Sequence, residues 1–426
     1  MRAVVFTLGC KVNDVESGSM IRGLEEMGYT VSRFLEENAD LYIINTCAVT
    51  AEAERKSRQT VGKAIKAGKD AKIIVCGCAS QHNAEQFFEK AENVYYVSGA
   101  QSKNRILEIV RDGLAERCRG ICVEDGGKQY EEMLAPECLK TRNFVKIQDG
   151  CNRFCSYCII PYLRGRSRSR KLASVVDEVM ASTSKETVLT GIDISDYRDE
   201  DGNTFTDLLR ALKDAETRIR LGSIEVSLIT DEFLAAAKEM KNFAPQFHLS
   251  LQSGSNAVLK TMNRHYTREE YLDACRKIYS VFPNASVTTD IIVGFPTETE
   301  EDFLQSMRIV EEAGFLQVHA FPYSPREGTN AYKKYKELPF AVKKERVDRL
   351  LEKAASVKES YLKGFVGKHL SMVAELATDG VWEGYSENYI RVYVEDENGV
   401  EPTHVCVQKL YKDGVWAKAV EKSIGE

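Results

Sequence analysis

The sequence predicts an α/β fold in three parts: an amino-terminal parallel β/α domain, a central partial (β/α)6 barrel and a small carboxyl-terminal β-barrel. Three observations predict it. Through roughly the first hundred residues, short β-branched runs alternate with longer amphipathic ones, the pattern of helices laid over a parallel sheet. After an interruption the alternation resumes for six strand and helix units, fewer than the eight that close a full barrel of this type. The last sixty or so residues carry closely spaced strand patterns parted by Asp379-Gly380, Asn398-Gly399 and Asp413-Gly414, dipeptides that favour tight hairpin turns.

In chain order, strands are expected at residues 3–8, 41–45, 72–76 and 94–97, followed by helical patterns at 15–27, 51–67, 83–90 and 103–111. Residues 115–139, with scattered glycine, the Gly126-Gly127 pair and acidic side chains, read as a linker. The second series of strands is expected at 143–147, 187–189, 218–224, 246–251, 286–293 and 315–321. Ser174 to Asp177, Thr267 to Glu270 and Thr297 to Glu300 carry the Ser/Thr-x-x-acid signature of a helix start. A charged helix from about residue 340 to 364 precedes strands at 370–377, 389–395, 403–411 and 416–420. The expected division is therefore 1–114, a linker over 115–139, 140–363 and 364–426.

A chain of 426 residues is too long for one ordinary core, and 43% hydrophobic with 29% charged residues suits packed globular units. No run of 18 apolar residues occurs and the amino terminus has no cleavage-site pattern, so a cytoplasmic protein without a membrane span is expected. In that compartment twelve cysteines make a poor disulfide framework, which turns attention to metal binding or thiol chemistry. The net charge of −6 argues against a generic polyanion binder. Any RNA contact has to be local. Arg164, Arg166, Arg168, Arg170 and Lys171 lie together, with Lys140, Arg142, Lys146 and Arg153 upstream and Asp149 opposing them; a solvated loop and a phosphate-binding surface both fit such a run.

Cys151, Cys155 and Cys158 are spaced Cys-x3-Cys-x2-Cys directly after the first strand of the second part. One loop can thus bring three thiolates to an iron–sulfur cluster whose fourth iron keeps an open position. A structural zinc site would need a fourth nearby Cys or His, and a ferredoxin-like carrier a fourth cysteine, whereas Cys275 and Cys406 are far downstream. Cys10, Cys47 and Cys78 each follow an expected strand. Neighbouring parallel strands are about 4.8 Å apart, so loops leaving one sheet edge can gather these three onto a second cluster. Cys76, Cys118, Cys122, Cys138, Cys275 and Cys406 share no such placement, although the spacing of Cys118 and Cys122 leaves a metal role open. Thr190, Gly191, Ser223, Glu225, Gln252 and Gly294 stand at strand ends, where glycine admits close approach and polar side chains can bond a ribose, amine or carboxylate. Plain turn chemistry also produces several of these. None of the six histidines forms a ligand or triad pattern.

Together these residues resemble the methylthiotransferase family of radical S-adenosylmethionine enzymes over essentially the whole chain. The marks are Thr7-Leu8-Gly9-Cys10-Lys11-Val12-Asn13, Asn45-Thr46-Cys47-Ala48-Val49-Thr50, Gly77-Cys78, the stretch 150–170, Leu249-Ser250-Leu251-Gln252-Ser253-Gly254, Gly294-Phe295-Pro296 and Phe321-Pro322-Tyr323-Ser324-Pro325. Thr297 departs from the family, which usually has another Gly there. The resemblance implies a partial barrel of radical SAM type. It implies that Cys151, Cys155 and Cys158 hold a [4Fe–4S] cluster chelating S-adenosylmethionine, with Thr190, Gly191, Ser223, Glu225, Gln252 and Gly294 as cofactor contacts. A low-potential donor of flavodoxin or ferredoxin type would supply the electron that cleaves the cofactor, and the resulting 5′-deoxyadenosyl radical would take hydrogen from C2 of an adenine. Cys10, Cys47 and Cys78 would hold an auxiliary [4Fe–4S] cluster that carries the sulfur.

Within the family, Lys11-Val12-Asn13 and Ala48-Val49-Thr50-Ala51-Glu52-Ala53-Glu54-Arg55 look most like the branch acting on N6-threonylcarbamoyladenosine beside the anticodon, at position 37. That implies a tRNA anticodon stem-loop as partner, with Arg164, Arg166, Arg168 and Arg170 as RNA contacts, a TRAM-like RNA-binding barrel at the carboxyl end, and a monomer. The neighbouring expectations are another tRNA adenosine, or an aspartate of a ribosomal protein, although relatives of the last kind typically carry Pro-Lys-Asn after the first cysteine. A two-cluster electron-transfer or sulfur-delivery protein is the reading from a different class.

Overall fold

The computed structural model describes residues 1–35, 38–124, 126–127, 129–136, 141–396 and 399–420. Cys138 and Lys140, the end of the expected linker and Asn398 of the second hairpin dipeptide lie outside the described residues.

The first sheet is parallel throughout, in the order β2-β1-β3-β4-β5-β6, built from β1 (Arg2–Thr7), β2 (Thr30–Ser32), β3 (Leu41–Thr46), β4 (Lys72–Gly77), β5 (Val94–Ser98) and β6 (Gly120–Cys122). Every residue of β3 is buried, because helices cover both faces of a parallel sheet and leave its central strand no solvent side. Met20, Ile21 and Leu24 of the helix Lys11–Glu26 pack on one face together with Ile106, Leu107 and Val110 of Lys103–Arg111. Val61 and Ala64 of Ala51–Ala67 pack on the other, beside Phe87. Strands β2 and β6 depart from the expectation. The latter falls inside the expected linker, where a three-residue Gly-Ile-Cys run is too short to show a period but pairs Tyr96 with Gly120 through Ser98 with Cys122.

The second series comprises β7 (Arg142–Lys146), β8 (Gln148–Asp149), β9 (Arg168–Ser169), β10 (Glu186–Thr190), β11 (Arg218–Leu221), β12 (Ser223–Ile224), β13 (Gln246–Leu249), β14 (Ser286–Val293) and β15 (Gln317–Pro322). Parallel pairing runs β7-β10-β11 and then β12-β13-β14-β15. The strand expected at 218–224 is thus broken at Gly222, whose N–H donates to the carbonyl of Leu189 at 2.8 Å. Counting β11 and β12 as that one strand, the six expected strands follow one another in chain order. Between them Thr267 and Glu270 form the expected reciprocal cap. The other two starts shift: Thr299 with Asp302 caps the helix Glu300–Ala313, while Ser174 lies inside the helix Leu172–Met180 and accepts a hydrogen bond from Arg170 at 3.0 Å. The Thr297 hydroxyl is engaged by that of Thr261 at 2.8 Å instead.

The helix Phe340–Lys363 leads into β16 (His369–Thr378), β17 (Val381–Ser386), β18 (Arg391–Glu395), β19 (His404–Tyr411) and β20 (Gly414–Ala419), which close in the order β16-β17-β18-β20-β19. The sequence reading contained four of these strands and missed β17. Its Gly384 weakens the strand pattern, and a side chain there would bring Cβ to 2.3 Å from the carbonyl oxygen of Val373 on the neighbouring strand. This barrel docks on the preceding part through buried Asn388, which donates to the carbonyl of Asn284 at 2.9 Å and accepts at its own carbonyl from Ser286 at 2.6 Å.

Candidate active site

Because β1, β3 and β4 are adjacent and parallel, Cys10, Cys47 and Cys78 leave the same sheet edge. Cys10 immediately precedes the helix Lys11–Glu26, Cys47 follows β3, and Cys78 opens the short helix Cys78–His82. The loops are held tightly. Asn13 donates to the carbonyls of Leu8 and Thr46 at 2.8 and 3.0 Å, and the Ser57 hydroxyl accepts from the Cys47 N–H while donating to its carbonyl, both at 3.0 Å. Gly77 has φ +101°, and a Cβ there would stand 2.4 Å from the Thr46 carbonyl oxygen. Burial, opposed by a backbone hydrogen bond and reinforced by Cys78 and Cys10, pushes the Cys47 thiol up to about 11. Burial also raises Cys78, against which the Arg164 cation pulls downward. Thiolates gathered in this way repel one another, and bound cationic iron supplies the opposing charge; the donor set therefore fits a cluster.

The second set stands on the loop after β8. Gly150, at φ +72°, turns the chain where a Cβ would lie 2.0 Å from the Arg166 carbonyl oxygen, and the Cys151 N–H then bonds the Gly165 carbonyl at 3.1 Å. Cys151 Sγ accepts from the Arg153 N–H at 3.4 Å and Cys155 Sγ from the Arg264 guanidinium at 3.3 Å. Burial pushes Cys158 up to about 12; Cys155 adds to the shift, and so does Cys78 of the first set, which puts the two sets within electrostatic reach of each other. Four-coordinate zinc with Zn–S of about 2.3 Å holds its sulfurs roughly 3.8 Å apart. Among the described residues, the group with all ligand atoms within 4.8 Å of one another is His248, Asp290 and His319, not either cysteine trio. Those histidines escaped the sequence reading because they are brought together only by strand register, Asp290 opposite His319 and His248 opposite Thr288.

Between the two cysteine sets lies a buried ionic network. Glu16 receives Lys103 and Lys146 at 2.7 Å each and Arg164 at 2.9 Å; Asp149 receives Lys146 at 2.7 Å, Arg164 at 3.0 Å and Arg168 at 3.4 Å. Arg164 also donates to the Asn13 side-chain oxygen at 2.7 Å. This corrects the expected arginine surface. Arg164 is fully buried and Arg168 nearly so, and Arg170 is half-buried against Glu178 and Glu132, so these side chains are turned into the protein rather than toward solvent. Lys146 and Arg142 are likewise engaged internally, by Glu16 and Asp149 and by Glu186 and Glu375 respectively. Arg166 is the exposed member, with its guanidinium 4.5 Å from the Phe154 ring centre, and Lys171 is exposed beside Glu200.

A cavity of about 220 Å³ opens beside Cys155, lined by Arg153, Glu225, Ser227, Asn263, Arg264 and Tyr266 among others. Arg264 grips both Glu225 oxygens, at 2.7 and 2.6 Å. Of the strand-end candidates Glu225 is in this wall. Ser223 faces a second, larger cavity; Thr190 is buried, and Gly191 packs so that a Cβ would meet the Gln148 side-chain oxygen at 2.9 Å. Gln252, at φ +70°, bonds through its backbone to Asp290 and Ile292. At Gly294 a would-be Cβ would stand 2.4 Å from Lys343 of the long helix, and the Gly294 N–H donates to Glu298 at 2.8 Å. Arg264 and Asn263 were missed, since nothing in a turn 109 residues from Cys155 marks them in sequence.

Two family models match the chain: the Radical SAM superfamily over residues 145–310, and a family described as Uncharacterized protein family UPF0004 over residues 2–99. Threonylcarbamoyladenosine tRNA methylthiotransferase MtaB of Bacillus subtilis (strain 168) is 36% identical, over 100% of this chain and 99% of its own. The chain belongs to the radical SAM methylthiotransferase family. Other methylthiotransferase relatives include MtaB of Thermotoga maritima, 36% identical over 96% of this chain and 95% of its own, and the tRNA-2-methylthio-N(6)-dimethylallyladenosine synthase of Oceanobacillus iheyensis, 36% identical over 87% and 74%. Among solved structures, the radical S-adenosylmethionine methyltransferase TsrM from Kitasatospora setae shares the fold at a TM-score of 0.55 with 15% identity, each chain covered to 76%. As a radical SAM methylthiotransferase the protein is an enzyme that uses S-adenosylmethionine and [4Fe–4S] chemistry. No helix among the described residues is long and apolar enough to cross a membrane.

Proposed function

We propose that this enzyme methylthiolates C2 of N6-threonylcarbamoyladenosine at position 37 of tRNA, with two [4Fe–4S] clusters. The observation that carries the reading is the meeting of two cysteine trios at one junction, with Cys158 packed against the buried cluster that contains Cys78, in a chain similar to threonylcarbamoyladenosine tRNA methylthiotransferases over its whole length. Cys151, Cys155 and Cys158 would hold the cluster that binds S-adenosylmethionine, and Cys10, Cys47 and Cys78 the auxiliary one. When bound, S-adenosylmethionine would supply the radical and the methyl group and the clusters the electron and the sulfur, none of which a side chain can provide.

The protein's own part is to bind, orient and exclude water. Arg264 ties Cys155 to Glu225 and so links the cluster loop to the wall of the adjoining cavity, whose Glu225, Arg153 and Asn263 would bond the cofactor's polar groups in this reading. Arg166 is the arginine of the run that can face an anticodon stem-loop, and the closed carboxyl-terminal barrel is the second RNA-binding element in this reading. A flavodoxin- or ferredoxin-type donor, a monomeric state and a cytoplasmic location complete it.

Nucleoside mass spectrometry of tRNA from a host stripped of its own methylthiotransferases tests the proposal. Methylthio-threonylcarbamoyladenosine is expected with the intact chain and with neither Cys155→Ala nor Cys47→Ala. Methylthio-dimethylallyladenosine in its place would move the substrate, and product from Cys47→Ala would remove the auxiliary cluster from the chemistry.

A further inference from the structure

The larger cavity, about 800 Å³, lies where the three parts of the chain meet. Its wall includes Gly9 and Lys11 from either side of Cys10, Arg220 from β11, His248 from β13, and Tyr385 and Tyr389 from the carboxyl-terminal barrel. Positive charge is in excess here. Buried Glu186 is shared by Arg142, Arg218 and Arg220, and among the described residues only Arg142 of these has a second carboxylate, that of Glu375. Lys11 is exposed to the cavity and forms no ion pair with any described residue. In this cluster four cations therefore meet two carboxylates, and elsewhere in the wall Lys358 and Arg391 stand with Asp290 and Asp413.

The donors are unsatisfied as well. Among the described residues, Arg142 Nη2, Arg218 Nη1 and Arg220 Nη1 are buried without a hydrogen-bond acceptor, and of these arginines Arg220 lines the cavity. The stacked Tyr385 and Tyr389 rings, 4.6 Å apart, cover the guanidinium faces, with Arg220 4.7 Å from the Tyr389 centre, but ring faces accept none of the in-plane N–H groups. Buried cationic donors of this kind favour an anionic acceptor, and a planar carboxylate matches a guanidinium.

We propose that Lys11 and Arg220 seat a carboxylate carried by the N6 substituent of the target adenosine. The inference rests on the tRNA reading above and deepens it: a threonylcarbamoyl group ends in a carboxylate, whereas a dimethylallyl group is a neutral hydrocarbon that would leave these donors unpaired. A site built on charged hydrogen bonds rejects the analogue that lacks the partner. Lys11, one residue from Cys10, places this selection beside the loop of the first cysteine set.

The test uses the full chain with its clusters reconstituted and anticodon stem-loop RNAs bearing threonylcarbamoyladenosine or its neutral carboxylate methyl ester. Wild type is expected to bind the acid at least about tenfold more tightly than the ester, the scale of a charge-assisted hydrogen bond. With Arg220 still in place, Lys11→Gln should lower the ratio several-fold at unchanged iron content, and Lys11→Arg should restore most of it. Equal wild-type affinities, or a ratio that Lys11→Gln leaves unchanged, overturn the seat. A nucleoside assay on the same RNAs keeps the two readings apart. Methylthiolation of acid and ester alike retains the tRNA reading and refutes the seat; discrimination in binding without any product supports the seat and refutes the proposed reaction.

Discussion

Arg164 shows how far a residue's role can differ from its sequence context. It stands in a run of basic residues, yet it is fully buried and binds Glu16, Asp149 and Asn13. Charge sign is readable from sequence; exposure is not, because beside Asp149, 15 residues away, the second compensating carboxylate, Glu16, sits 148 residues away. Removing one partner of a buried network strands the others. Arg164→Ala should therefore cost about 3–5 kcal/mol, measured as a lowered midpoint in denaturant. Arg166→Ala should leave stability nearly unchanged and, if it faces RNA, lower the salt dependence of tRNA binding by about one phosphate contact. The network also sets a pH response. Arginine and lysine neighbours, working against burial, hold Glu16 and Asp149 far below the usual carboxylate range, and Glu186 at about 2. Folded values below the unfolded ones mean that this stabilisation is complete above the ordinary glutamate value of 4.5 and drains away as pH falls through it toward about 2. Unfolding midpoints against pH should fall steeply below about 4.5, and Glu16→Gln should give a lower, flatter curve.

At the scale of elements, regular strands were legible and their punctuation less so. The strands at 41–45, 72–76 and 94–97 announce themselves by β-branched and aromatic residues that any buried parallel strand needs. Strands β2, β6 and β17 were missed because two are three residues long and the third carries a glycine. The cysteine positions were readable for the same topological reason that makes them work: strand ends in one parallel sheet share an edge. What was not readable is the device that aims them. Gly77 and Gly150 have positive φ and no room for Cβ beside the backbone of Thr46 and Arg166. Gly77→Ala should therefore lower the iron bound per chain to about half while far-ultraviolet circular dichroism stays near that of wild type, since it displaces one ligand of one trio. An unchanged iron content would show that Cys78 is not a ligand.

At the scale of the whole molecule, neither the convergence of three parts on one cavity nor the charge imbalance in its wall could be read from the chain, for both arise from residues brought together by docking. The carboxyl-terminal barrel is fastened to the preceding part by Asn388, Ser286 and Asn284. Asn388→Ala removes the side-chain bonds to the Asn284 carbonyl and the Ser386 hydroxyl while keeping the Ser286 bond to its backbone carbonyl, and it should cost about 1–3 kcal/mol. Limited proteolysis should then cut more readily near the end of the helix Phe340–Lys363.

The network around Glu16 has a consequence for anyone who would recombine these enzymes. Glu16 and Lys103 come from the first sheet's helices, whereas Lys146, Asp149 and Arg164 come from the strands and helix that begin the second part. Grafting the first part of one homologue, through the helix Lys103–Arg111, onto the remainder of another replaces Glu16 and Lys103 together across a buried seam. A chimera in which any one of the five lacks its counterpart carries a stranded ion at the join, so compatibility of such grafts should follow the identity of these few positions rather than overall similarity.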